Sequence, residues 1–95
     1  MQQEQKIVQR TLTILNEKGL HARASAKLVE VVENFASTVE ICKDEMSVSG
    51  DSIMGLLMLA ASRGTNIDVT ISGEDAEELA VALEELVADR FGEDS

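Results

Sequence analysis

Aromatic side chains are nearly absent from this 95-residue chain: Phe35 and Phe91 are the only two, and there is no Trp or Tyr. Without them there is no stacking platform for single-stranded nucleic acid, and the core has to be built from Leu, Ile, Val, Met and Ala. Bases are scarce as well. Eight Lys and Arg face eighteen Asp and Glu, a net charge of −10, so the chain is a poor match for phosphate backbones and no nucleic acid is expected as a partner. A single cysteine, Cys42, excludes an internal disulfide, and one histidine with one cysteine makes no metal-ligating cluster. No metal and no cofactor are expected. The longest apolar run, "IMGLLMLAA", has nine residues, far short of the roughly 20 needed to cross a bilayer. The start, "MQQEQKIVQR", has no apolar core of a secretory signal. The expectation is a cytoplasmic protein without membrane insertion.

What is present is enough for one small domain over residues 1–95, with 1–5 and 92–95 expected to be flexible. The hydrophobic share, 44%, fits a packed globular protein. From Lys6 to Leu15 the residues Val8, Leu12 and Ile14 recur with period two, Arg10 being the exception, which predicts a half-buried strand. "NEKG" breaks it. From Ala22 the period lengthens. Ala22, Ala26, Val29 and Val32 form a stripe flanked by Leu28 and Phe35, which predicts an amphipathic helix. "STVEIC" (37–42) and "MSVS" read as strands around a "KDE" turn. "GDSIMGLLMLAA" reads as a short apolar helix capped by Asp51 or Ser52. "IDVTIS" is a strand, and Ala76, Leu79, Leu83, Leu86 and Val87 mark a last helix, with Asp75 and Glu78 as a capping-box-like start. The order β-α-β-β-α-β-α predicts an α+β fold in which three helices cover one face of a four-stranded antiparallel sheet.

Two positions could carry chemistry. His21, in "NEKGLHARASAKLVE", stands where the strand pattern gives way to the helix pattern. Its neutral ring nitrogen is a nucleophile. The first turn of a helix offers unpaired amide N–H groups to an anion, and Arg23 could add a charge-assisted hydrogen bond. From spacing alone, an ordinary loop or capping histidine remains the competing reading. Ser52 reads first as a helix cap. Its second reading is a phosphorylation site, since a phosphate at a helix start need not melt the helix. The residues after it (Ile53, Met54, Leu56, Leu57, Met58, Leu59) are apolar almost all round, which means either core or a docking patch. Cys42 reads as a packing residue.

"GLHARASAKLVE" and "DSIMGLLMLAASRG", at their observed separation, resemble the HPr family, the histidine-containing phosphocarriers of the bacterial phosphotransferase system. The resemblance spans about residues 6–91 and implies an open-faced β-sandwich. It implies further that His21 accepts a phosphoryl group from phosphoenolpyruvate by way of enzyme I and passes it to a IIA-type acceptor, with Arg23 steadying the phosphate. It makes Ser52 the site for an HPr kinase/phosphorylase, and Ala24, Lys27, Ile53, Met54 and Leu57 the docking contacts. The protein is then a stoichiometric carrier rather than an enzyme, and a monomer is expected. The alternative is a regulatory docking module that signals through Ser52 without phosphoryl transfer. Three departures stand out: Ala24 where the family usually has proline, Asp51 where many relatives have lysine, and Glu30 and Glu33 on a helix that is often more basic. The last hints at the nitrogen-related branch.

Overall fold

Alternation along a strand lets a sheet bury one face and wet the other. The computed structural model, which describes residues 6–95, follows that rule. Its elements are β1 (Ile7–Thr13), α1 (Ala22–Glu33), β2 (Thr38–Lys43), β3 (Met46–Ser49), α2 (Ile53–Leu59), β4 (Asn66–Ser72) and α3 (Ala76–Ala88), followed by a 3-10 turn at Arg90–Gly92. The expected element order and the open-faced sandwich are both found. The four strands form one sheet in the order β1-β4-β2-β3, every neighbouring pair antiparallel.

The inner face is a grid of branched aliphatics. Val8 and Val39 both pair with Ile71, and Ile41 pairs with Val69; all five are buried, together with Leu12 and Ile67. Leu28 of α1, Leu56 of α2, and Leu79 and Leu83 of α3 join them in one hydrophobic core. The outer face is polar: the Thr11 hydroxyl donates to Asp68 at 2.7 Å and that of Thr13 to Asn66 at 2.6 Å. Arg10, the one break in the alternation of β1, shares parity with Val8 and Leu12. It lies on the edge strand and turns its guanidinium to Glu77 and Glu84 of α3, at 3.4 and 3.6 Å.

Two local expectations need correction. The core face of α1 is Ala24, Ser25, Leu28, Val29 and Val32, while Ala22 is exposed and Ala26 half-buried. Alanine marks helical phase poorly because its methyl contributes little burial energy; the larger Leu28 and Val32, four apart, set the phase. Asp75 occupies the position before α3, yet its side chain makes no capping bond. It accepts hydrogen bonds from the amides of Ala36 and Ser37 at 2.8 and 2.9 Å and from the Ser37 hydroxyl, tying α3 to the loop after α1. Those bonds, the Ser37 hydroxyl foremost, hold the Asp75 carboxyl below its ordinary value. Ser52 does cap α2: its Oγ accepts from the Gly55 amide at 3.0 Å.

Gly19 fixes the approach to α1. Its φ is +63°, and a Cβ there would lie 2.3 Å from the Ala61 carbonyl oxygen. That same oxygen accepts from the Leu20 amide at 2.9 Å. The loop before α1 is thus laid against the segment that leaves α2, at a distance only glycine allows. Gly19→Ala combines an unfavourable φ with a backbone clash and should lower stability by about 2 kcal/mol or more, read as a drop in the urea midpoint; an unchanged midpoint would refute this account of the loop.

Candidate functional site

His21 is the residue at which extended backbone becomes helix. With φ −76° and ψ −178° it stands just outside α1, and its carbonyl accepts from the Ser25 amide at 2.8 Å to close the first turn. Its own amide bonds to the Gly19 carbonyl at 2.9 Å. No side chain caps this end of the helix. The amides of Ala22, Arg23 and Ala24 therefore have no acceptor within the helix, and the positive end of the helix dipole lies beside them. The imidazole is about a quarter exposed. It shares a shallow polar depression with Arg23, Lys18, Lys27, Glu17 and Glu93. Three of the chain's eight bases line this one place.

Sequence reasoning missed two residues here. Glu93 reaches back from the C-terminal end, and its Oε2 is in hydrogen-bond contact with His21 Nε2. Its other oxygen, Oε1, accepts from the side-chain amide of Asn16 at 2.9 Å. Asn16 is fully buried, and its second N–H donates to the Gly19 carbonyl, also at 2.9 Å. One amide thus holds both the loop before His21 and the carboxylate on His21. Hydrogen bonds from Asn16 first and from His21 second keep the Glu93 carboxyl below the ordinary glutamate value.

The tail arrives there through an unusual turn. Arg90 and Phe91 both have φ of +55°, and Gly92 has +78°. Left-handed backbone costs a non-glycine residue about 1–2 kcal/mol. Phe91 offsets that cost by burying its ring completely, and the Lys27 ammonium donates to the Phe91 carbonyl at 2.7 Å. Beyond Glu93, the Ser95 hydroxyl donates to Glu17 at 2.9 Å.

The other expected site residues lie elsewhere on the helical layer. Ser52 caps the start of α2, and Gly19 touches the segment leaving its far end, so about 10 Å of helix separates the two regions. Asp51, exposed beside Ser52, accepts from the Ser49 hydroxyl at 2.6 Å. Of the proposed docking contacts, Ile53, Met54 and Leu57 are exposed, at 40, 70 and 37%, with Met58 beside them at 65%. The inward side of the same helix, Leu56 and Leu59, is buried. Ala24 does not belong with the docking contacts: it is fully buried, because the phase of α1 turns it into the core. Lys27 remains half-exposed, its ammonium engaged by the tail.

Comparison with known proteins points the same way. A family model described as the PTS HPr component phosphorylation site matches residues 8–89. The phosphocarrier protein HPr of Cupriavidus necator is 46% identical over 87 residues, 92% of this chain and 98% of that one. The HPr of a Xylella fastidiosa strain is 45% identical over 89 residues, 94% of this chain and all of that one. A crystal structure of an HPr from Thermoanaerobacter tengcongensis superposes with a TM-score of 0.88 at 36% identity, covering 93% of this chain and 99% of that one.

The Glu93 contact should be visible in acid. A carboxyl whose folded pKa lies below its unfolded value of about 4.5 adds stability above that pH and loses it as pH falls through the lower folded value. The urea midpoint should therefore fall as pH drops below about 4.5, and Glu93→Ala should lower the midpoint near neutrality, change it little in acid, and so flatten that acid limb. An identical acid limb in the variant would show that the contact contributes nothing.

Proposed function

The chain belongs to the HPr family of phosphocarriers of the phosphotransferase system, and on that premise we propose that His21 is its phosphoryl-bearing residue, charged by enzyme I at the expense of phosphoenolpyruvate and discharged to a IIA-type acceptor. The observation that carries this reading is the helix mouth itself. A nucleophilic ring and Arg23 share one solvent-open depression at the start of a helix whose first amides have no acceptor within the helix.

The chemistry asked of the chain is small. A ring nitrogen attacks phosphorus and an N–P bond forms. The bond from phosphorus to the donor breaks, its electron pair leaving with the donor. The first amides of α1, at Ala22 and Arg23, and the charge of Arg23 stabilise the phosphoryl oxygens by hydrogen bonding and field. A site that held phosphate much more firmly would be a poor donor in the next step, and one guanidinium with one helix end meets that compromise. The protein acts stoichiometrically, with its partners supplying the remaining catalytic groups.

Docking falls to the outward face of α2. Ile53, Met54 and Leu57 present an unpartnered apolar strip, and methionine adapts to more than one partner surface. Ser52, at the head of the same helix, is the regulatory position. A phosphate there would add about −1.5 to −2 charges at the border of the strip while remaining favourable to the helix start. Asp51 opposes this by repelling an incoming phosphate donor, so Ser52 is expected to be a slow substrate for an HPr kinase/phosphorylase.

Incubation with enzyme I, phosphoenolpyruvate and Mg²⁺ should add one acid-labile phosphoryl group, detected by intact mass. His21→Ala should abolish it, and Arg23→Ala should slow its formation about tenfold, the loss of one charge-assisted hydrogen bond. A phosphoryl group that persists in His21→Ala, or one that is acid-stable, would overturn the assignment.

A further inference from the structure

Readily oxidised side chains are few in this chain, and the exposed ones gather in one place. There is no Trp or Tyr, and there are one Cys and four Met. Met46, Met54 and Met58 are exposed, at 42, 70 and 65%. Met54 and Met58 stand four apart on α2 and so share one side of it. Met46, at the start of β3, lines the same shallow depression as Met58. The two elements meet closely: a Cβ on Gly55 of α2 would lie 2.9 Å from Cβ of Val48 in β3. Cys42 is only half-exposed. Its neighbour Ile41 is buried in the core, so alternation puts the thiol on the sheet face away from the helices.

We propose that Met54 and Met58 form a reversible oxidation site, at which conversion to the sulfoxides weakens partner docking and slows phosphoryl transfer without altering His21. The inference rests on the phosphocarrier reading and gives its docking strip a control. The reaction needs a two-electron oxidant, of which hydrogen peroxide is the simplest. A sulfur lone pair attacks one peroxide oxygen, and the S–O bond forms as the O–O bond breaks. The departing hydroxide takes up the proton from the transferred oxygen and leaves as water. The thioether loses two electrons and the peroxide gains them. A thiol-dependent methionine sulfoxide reductase reverses the change, two thiols becoming a disulfide while the oxygen leaves as water. Hydrogen peroxide is uncharged, so the net charge of −10 does not hold it away from this surface.

The effect on docking follows from polarity. A thioether is apolar and adapts to the surface it meets. A sulfoxide carries a strong dipole and an oxygen that accepts hydrogen bonds. Exposed on the free protein, that oxygen is hydrated. Pressed against an apolar partner surface it loses its water, and Ile53, Met54, Leu57 and Met58 supply no side-chain donor to replace it. The inward side of α2, Leu56 and Leu59, is buried and contains no sulfur. Oxidation therefore changes the outward strip and leaves the packing of the helix on the core intact.

The test compares each protein with itself before and after peroxide. Peptide mapping of the treated wild type should place oxygen on Met54 and Met58 ahead of Met46, with the circular dichroism spectrum unchanged. The KM of enzyme I for the oxidised protein should rise about tenfold, the loss of roughly one buried hydrogen-bond equivalent at the interface, with kcat nearly unchanged. A methionine sulfoxide reductase with a thiol reductant should restore the original KM. The double variant Met54→Leu/Met58→Leu keeps Cys42 and Met46 but cannot be oxidised on α2. Whatever its starting KM, that value should not rise on treatment. Sulfoxides at Met54 and Met58 that leave KM unchanged would overturn the proposal. So would a rise that the reductase does not reverse, or an equal rise in the double variant, which would place the effect at another residue. An untreated wild type that takes no phosphoryl group from enzyme I would instead overturn the carrier reading, and with it the docking role on which the proposal rests.

Discussion

A single buried amide, that of Asn16, joins the two ends of the chain over the helix that carries His21. One N–H holds the Gly19 carbonyl and so shapes the loop that delivers the histidine; the other holds Glu93, 77 residues away. The rest of the site depends on that double grip. Gly19 can lie against Ala61 because its backbone is held in the left-handed region from one side and has no Cβ to clash on the other. Once the loop is placed, His21 stands in extended backbone just before the helix begins, and the first amides of α1 have no acceptor within the helix. The sheet supplies a rigid base for this, with β1 leading directly into the loop at its C-terminal end.

Legibility in the sequence followed physical range. Strands β1, β2 and β4 could be read because each alternates over a face that is buried on one side only, so the pattern is imposed residue by residue. Helix α3 could be read because Leu79, Leu83 and Val87 are large enough to mark the phase. Helix α1 existed where expected, but its face was rotated, since three alanines near its start carry little phase information and Leu28 had been placed at the margin. Asp75 followed the sequence signature of a cap and took a tertiary partner instead, because two amides and a hydroxyl in the loop at 36–37 offer more hydrogen bonds than one helix amide.

The candidate site divided the same way. His21, Arg23 and the helix start lie within a few residues of one another, and their relation is local, so a motif could announce them. Asn16 and Glu93 could not be announced. Asn16 looks like any asparagine ending a strand, and its burial is visible only once the tail has folded over it. Glu93 lies in an acidic segment where a solvated carboxylate is the ordinary reading. Its route to His21 runs through a turn that non-glycine residues seldom make, and no propensity rule anticipates left-handed backbone at Arg90 and Phe91.

The distribution of charge also acquires a meaning it lacked in composition. A chain of net −10 repels phosphate as a whole, which would slow every encounter with a phosphorylated partner if the charge were uniform. It is not uniform. Lys18, Arg23 and Lys27 surround His21, and two of the acids beside them are engaged: Glu93 with Asn16 and the ring, Glu17 with Ser95. The acids also keep the local field modest, since the three bases stand beside the carboxylates of Glu17, Glu93 and Asp94. A carrier needs that middle strength, because the same site must win a phosphoryl group from one partner and lose it to the next. The neighbouring apolar strip of α2 adds contact area that is indifferent to the charge state of the histidine, so a partner gripping it would hold the protein equally well before and after transfer. With His21 as the proposed phosphoryl-bearing residue, discrimination between the two states would be left to the depression around it, where the charge would change.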